Sequence, residues 1–164
     1  MRLLIIRHAI AVRRGTPGIP DDERPLTPKG EKRFRRCARG LARLVRRPDQ
    51  VLTSPLPRAA RTAELAAKAW GRGKPKADPA LVSGSIRQML AMLAGWPKDS
   101  TIAIVGHEPD LSALLGHLLG GATSERLTFR KGGAALVELP GTPAQGGRLV
   151  WYLRPRILRT LGRS

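Results

Sequence analysis

Residues 2–8 read Arg-Leu-Leu-Ile-Ile-Arg-His, an unbroken apolar run that stops at a cation and an imidazole. Consecutive Leu and Ile residues without polar alternation describe a strand buried on both faces, the pattern of a parallel sheet covered by helices. The same event recurs at 101–108, where Thr-Ile-Ala-Ile-Val runs into Gly106-His107-Glu108. Between them, Gln-Val-Leu-Thr at 50–53 forms a further short run that continues into Ser54-Pro55-Leu56-Pro57-Arg58.

Helical patterns separate these runs. After a loop rich in Gly, Pro and Asp, Thr27 reads as an N-cap with Pro28 at the first helical position. Phe34, Cys37, Ala38, Leu41, Ala42, Leu44 and Val45 then recur at three- and four-residue spacing and give one apolar face. An alanine-rich helix is expected from near Pro57, another over about 85–95 with Ile86, Met89, Leu90 and Leu93 on one face, and a fourth from about Pro109 to Leu119. The basic stretch 71–79 reads as a loop, since its glycines lack the frame of a P-loop. Beyond it the chain turns to β pattern, at 127–139 and again in Arg-Leu-Val-Trp-Tyr-Leu at 148–153. Strands alternating with helices predict an α/β fold, a three-layer α/β/α sandwich around a mainly parallel mixed sheet. With 164 residues and no linker, a single domain over 1–164 is expected.

Composition narrows the function. No apolar stretch is long enough to cross a bilayer, and the run that stops at Arg7 is too short for a secretory leader, so a cytoplasmic protein without a membrane partner is expected. Cys37 is the only cysteine, which excludes an internal disulfide and a cysteine-rich metal site, and its helical setting reads as a buried small hydrophobe. The formal net charge is +18. A field of that sign gathers anions and is compatible with phosphates, nucleic acid or an acidic protein, or with a merely arginine-rich surface.

In open α/β sheets the ligand crevice lies beyond the carboxyl ends of the strands. Here those ends deliver Arg7 with His8, then Arg58 in the first turn of a helix whose backbone N–H groups are also expected to face the ligand, then His107. Two guanidinium forks can clamp the oxygens of a phosphoryl group. A neutral imidazole can attack phosphorus to give a phosphohistidine that water then cleaves, while a second, cationic histidine stabilises the same oxygens. Nothing in this set requires a metal or cofactor. His117 lacks a strand-end placement and reads as structural.

The segments Leu-Leu-Ile-Ile-Arg-His-Ala, Ser-Pro-Leu-Pro-Arg-Ala-Ala-Arg-Thr-Ala-Glu and Ile-Val-Gly-His-Glu-Pro-Asp-Leu-Ser together resemble the histidine phosphatase superfamily. Size, Arg-Pro-Leu-Thr-Pro-Lys-Gly at 24–30 and the closing Trp-Tyr-Leu-Arg-Pro-Arg-Ile-Leu-Arg-Thr-Leu-Gly resemble its short SixA-type phosphohistidine phosphatase branch. The resemblance implies His8 as nucleophile, with Arg7, Arg58 and His107 as catalytic and substrate-binding groups around the phosphate. It further implies a phosphorylated, acidic protein partner such as a histidine phosphotransfer domain.

Two positions depart from the family pattern. Ala9 stands where glycine is common, which is harmless provided the backbone there avoids positive φ. Larger relatives carry an acid ahead of the third segment, whereas here 80–85 holds no carboxylate and only Asp78 is near. Glu108, Asp22 and Glu23 are the weaker acid/base candidates. A missing acid favours substrates whose leaving group needs little protonation, such as phosphohistidine, over sugar phosphates. A small-molecule phosphomonoesterase with the same pocket is the near alternative. A polyanion- or nucleic-acid-binding module is the distant one, disfavoured by the scarcity of aromatic stacking platforms, with three Trp, two Phe and one Tyr in the chain.

Overall fold

A computed structural model describes residues 1–121 and 127–163. Its elements run β1 (Arg2–Arg7), α1 (Pro28–Leu44), β2 (Gln50–Thr53), α2 (Pro57–Ala69), β3 (Lys76–Ala77), α3 (Ala80–Ser83) and α4 (Ile86–Ala94). They continue with β4 (Thr101–Gly106), α5 (Asp110–Leu118), β5 (Ala134–Glu138), a 3-10 turn (Pro143–Gln145), β6 (Arg148–Leu153) and α6 (Pro155–Leu161). The six strands form one sheet in the order β3-β2-β4-β1-β5-β6. Strands β1 to β4 are parallel, while β5 runs antiparallel to β1 and β6 antiparallel to β5. The result is the α/β sandwich around a mainly parallel mixed sheet.

The opening run behaves as its composition requires. Leu3, Leu4, Ile5 and Ile6 are fully buried, and they alternate between two cores. Leu4 and Ile6 pack with Phe34, Leu41 and Ala63 under α1 and α2, and Leu3 and Ile5 with Met89, Leu93 and Leu115 under α4 and α5. Burying each such side chain is worth roughly 1.5–3 kcal/mol, so this strand anchors both layers at once. Thr27 caps α1 by accepting from the Gly30 N–H at 2.9 Å, with Pro28 following. Ser85 and Gln88 close a reciprocal capping box on α4. Cys37 is buried against α6, and burial pushes its thiol up to about 11, so it is an inert apolar group.

The fold differs from expectation in three places, each for a local reason. The C-terminal stretch after β6, for which the sequence pattern predicts no element, folds into α6. Seven residues with one buried side chain, Leu158, are too short to show a 3.6-residue period. That helix docks because Gly40 on α1 lets the Leu158 carbonyl approach to where a Cβ would stand, 2.1 Å away. The short β3 interrupts the stretch 71–79 expected to be loop, and α3 follows directly after it. Finally, residues 127–133 are not a strand, because their polar groups bond to the end of β1 and to Glu108 instead of to a sheet neighbour. Among the described residues no helix is long and apolar enough to span a membrane.

Candidate active site

Strands β1 and β4 lie side by side with Arg7 level with Gly106, so the residues that follow them emerge together. The His8 N–H donates to the Gly106 carbonyl at 3.0 Å, and the rings of His8 and His107 stand 5.1 Å apart between centroids. Strand β2 flanks β4 on the other side, with the Ser54 N–H bonded to the Val105 carbonyl, so the turn into α2 swings Arg58 over the same end of the sheet. Arg7, His8, Arg58 and His107 thus line one cleft of ≈ 470 Å³.

The orientation of His8 is fixed by the backbone. Its Nδ1 lies 2.7 Å from the Ala9 carbonyl, an acceptor only, so Nδ1 carries the hydrogen and Nε2 keeps its lone pair. Burial is the main cause that pushes the His8 imidazole down to about 3, and the neighbouring His107, Arg58 and Arg7 depress it further. The positive surroundings that attract an anion therefore also keep this nitrogen unprotonated. Ala9 accepts the backbone geometry: no non-glycine residue among those described has positive φ. Its N–H donates to Thr62 Oγ1 at 3.0 Å, while that hydroxyl donates to the Arg58 carbonyl at 2.6 Å. Thr62, fully buried, thereby ties the segment carrying His8 to the helix carrying Arg58.

His107 is held by Ser54. Ser54 Oγ accepts from the Leu56 N–H at 3.2 Å and shares a hydrogen bond of 2.9 Å with His107 Nε2. The other ring nitrogen, Nδ1, is buried and unpartnered in the protein. Burial first, then Arg58, Arg24 and Arg7, push His107 down to about 4. In the free protein His107 is therefore neutral at neutral pH, because a buried imidazole among guanidiniums does not take up a second proton.

Arg7 donates through Nη1 to the Phe129 carbonyl. Arg58, 5 % exposed, donates through Nη1 to the Asp21 carbonyl at 2.7 Å. In both, Nε is buried with no partner inside the protein. Three unpartnered buried nitrogens around one cleft would each be costly in an apolar setting, and they match the donor set a tetrahedral anion needs. At the start of α2, Pro57 has no N–H to offer and the N–H groups of Ala59 and Ala60 turn back to the Leu56 carbonyl, so these two amides are not offered to the cleft.

The weaker acid candidates separate. Glu108 lines the cleft, but its Oε1 already accepts from Ser112 Oγ at 2.8 Å and from the Phe129 N–H at 2.7 Å. Asp22 and Glu23 are exposed and do not line the cleft, and Asp78 caps the turn at Ala80. His117 is exposed and lies outside the cleft.

Sequence reasoning missed Arg24, Asp21 and Lys131. Arg24 is 7 % exposed, lines the cleft, and bonds to Asp21 Oδ1 and the Val12 carbonyl. Asp21 bridges Arg14, Arg24 and Arg58, and its hydrogen bond from Arg14 is the main cause holding its carboxyl down to about 2. Among the described residues no group of three His, Cys, Asp or Glu side chains could hold a metal ion.

The two depressed histidines set a pH dependence of stability. The unfolded chain protonates them near 6.5, the folded protein only near 3 and 4. Between those values the unfolded state binds more protons, so this contribution is complete above 6.5 and is lost as pH falls toward the folded values. Denaturant midpoints taken at about pH 7 and about pH 4.5 are expected to fall less in the double variant His8→Asn, His107→Asn than in the parent. An identical fall in both proteins would assign the acid sensitivity to other groups.

Comparison with known proteins places this arrangement in context. The family model described as the histidine phosphatase superfamily (branch 1) matches residues 3–83. An uncharacterised protein of Picosynechococcus sp. is 38% identical over 136 residues, covering 81% of this chain and 82% of that one. Among solved structures, the protein histidine phosphatase SixA complexed with tungstate superposes with a TM-score of 0.83 at 25% identity, covering 96% of this chain and 99% of that chain. A mycobacterial glucosyl-3-phosphoglycerate phosphatase shares the fold, with a TM-score of 0.74 at 16% identity over 93% of this chain and 98% of the other.

Proposed function

The chain belongs to the histidine phosphatase superfamily and is a phosphatase, and from that premise we propose that it hydrolyses phosphohistidine on a protein through a covalent intermediate on His8, without a metal. The observation that carries the reading is the bare Nε2 of His8 in one cleft with Arg7, Arg58 and His107, whose Nε, Nε and Nδ1 atoms have no partner in the protein.

In the first step the Nε2 lone pair attacks phosphorus, and the P–N bond to the substrate imidazole breaks. The leaving imidazole takes its proton from solvent. The charge that arises on the His8 ring is eased by its Nδ1–H bond to the Ala9 carbonyl. Arg7 and Arg58 face the equatorial oxygens with their forks, and His107 donates through Nδ1 to a third. In the second step water attacks phosphorus, the bond to Nε2 breaks, and the water proton leaves with phosphate or solvent, returning the neutral ring. Nitrogen attack requires no deprotonation of His8, because its position among cations keeps it neutral.

The leaving group decides the substrate class. An alkoxide gains about a hundred- to ten-thousand-fold from a positioned acid. Among the described residues the one carboxylate on the cleft wall, Glu108, has an oxygen committed to Ser112 and Phe129. Imidazole departs without such help. The SixA likeness supports the same choice, since that protein is a protein histidine phosphatase. Turnover of a phosphohistidine peptide is expected to exceed that of a sugar phosphate by about a hundredfold or more in kcat/KM. Equal or faster hydrolysis of the sugar ester would overturn the preference and favour the small-molecule phosphomonoesterase.

A further inference from the structure

A phosphoryl group fills only part of a cleft of ≈ 470 Å³, a size that ordinarily holds a much larger ligand. Beyond the four inner residues, the wall is made of Ala11, Glu108 and four cations, Arg13, Arg14, Arg24 and Lys131. The four cations are not equivalent. Arg14 and Arg24 both bond to Asp21 and serve the loop that holds Arg58. Arg13 and Lys131 are exposed, and among the described residues no carboxylate pairs with either. Lys131 is nonetheless fixed relative to the nucleophile: the N–H of the next residue, Gly132, is shared between the carbonyls of Arg7 and His8 at 3.1 Å each. Only glycine suits that turn, at φ +79°. Partial burial, together with Arg7 and Arg24, holds the lysine below its usual pKa, so it sits where an anion would be welcome.

We propose that Lys131 and Arg13 form a second anion subsite that takes a carboxylate flanking the phosphorylated histidine in an acidic segment of the substrate protein. The proposal rests on the phosphohistidine reading above and adds how the substrate is chosen. The lining selects for charge and little else. Among the described residues it holds no Trp, Tyr or Phe ring to stack a base and no amide or hydroxyl side chain to read a sugar. A ligand that continues past the phosphoryl group is therefore recognised through further negative charge, and a net charge of +18 favours the approach of an acidic protein surface.

Two phosphohistidine peptides identical except for flanking Asp/Glu or Asn/Gln provide the test, with an aryl phosphate as a probe of the inner pocket alone. The parent protein is expected to favour the acid-flanked peptide by about tenfold or more in kcat/KM at low salt, mostly through KM. In the double variant Arg13→Gln, Lys131→Gln that ratio is expected to fall toward one. Lys131→Glu is expected to shift preference toward a Lys-flanked peptide. A ratio near one in the parent, or one that survives the double variant, would overturn the subsite while aryl phosphate turnover still upheld the phosphatase centre. Preference for inorganic tripolyphosphate over the acid-flanked peptide would overturn the protein source of the second anion. Failure to turn over the aryl phosphate would remove the parent reading, and the subsite with it.

Discussion

Replacing His8 with alanine is expected to abolish turnover of every phosphoryl substrate, by on the order of ten-thousand-fold or more, because the step that opens the reaction loses its nucleophile. The inner pocket loses little else. Arg7, Arg58 and His107 are held by Phe129, Asp21 and Ser54 respectively, and none of those ties passes through the His8 ring. The variant is therefore expected to fold and to bind inorganic phosphate or tungstate, which separates loss of chemistry from loss of the site. Rapid quenching with a labelled aryl phosphate gives the second readout. The parent traps acid-labile phosphate on His8, and the variant traps none. An aryl phosphate is the right probe because its good leaving group makes the result independent of any proton donor. Substantial residual turnover in His8→Ala, or label mapping to another residue, would remove the covalent mechanism proposed here.

The reason His8 could be named from sequence is that its position is a consequence of strand geometry. A fully apolar run has to be a buried strand, parallel strands put ligands at their carboxyl ends, and the residue after such a run stands at that end. The same logic puts His107 at a strand end, and the long-range pairing of β1 with β4 brings the two rings together. Arg24 and Lys131 escaped the same reasoning. The chain has 30 Lys and Arg residues, and pattern alone cannot distinguish the few that are buried or pinned at the cleft. Arg24 is set apart by bonds to Asp21 and to the Val12 carbonyl. Ser54 and Thr62 were invisible for a related reason: their roles depend on which backbone carbonyl or imidazole lies across the sheet end. The segment 127–133 belongs to the stretch 127–139 whose composition suggests β structure. Its amides instead reach Glu108, Arg7 and His8, pairings that only tertiary structure reveals. The sequence thus encodes local period strongly and encodes the closing loops and the second layer of contacts weakly.

Arg58→Ala is expected to lower kcat by about a hundred- to a thousand-fold, equivalent to about 3–4 kcal/mol, the cost of removing one preorganised charge stabiliser. The expectation follows from how the side chain is held. Arg58 is buried at the first turn of α2, its Nη1 is anchored on the Asp21 carbonyl, and its Nη2 lies 3.8 Å from the Asp21 carboxylate. The fork is thus oriented before substrate arrives, while its Nε remains without a partner in the protein. Because charge builds on the phosphoryl oxygens mainly in the transition state, the loss should fall on kcat more than on KM. Arg58→Lys keeps the charge but not the planar fork, so it is expected to recover only part of the lost rate. A purely structural role predicts something else: removing Arg58 would loosen the Asp21 loop, lower stability and raise KM, and lysine would rescue no better than glutamine. Steady-state kinetics on an aryl phosphate, with denaturant midpoints for all three variants, distinguish the two. A loss below tenfold with intact folding would mean that Arg58 does not face the reacting group, and Arg7 alone would then have to carry the guanidinium part of the mechanism.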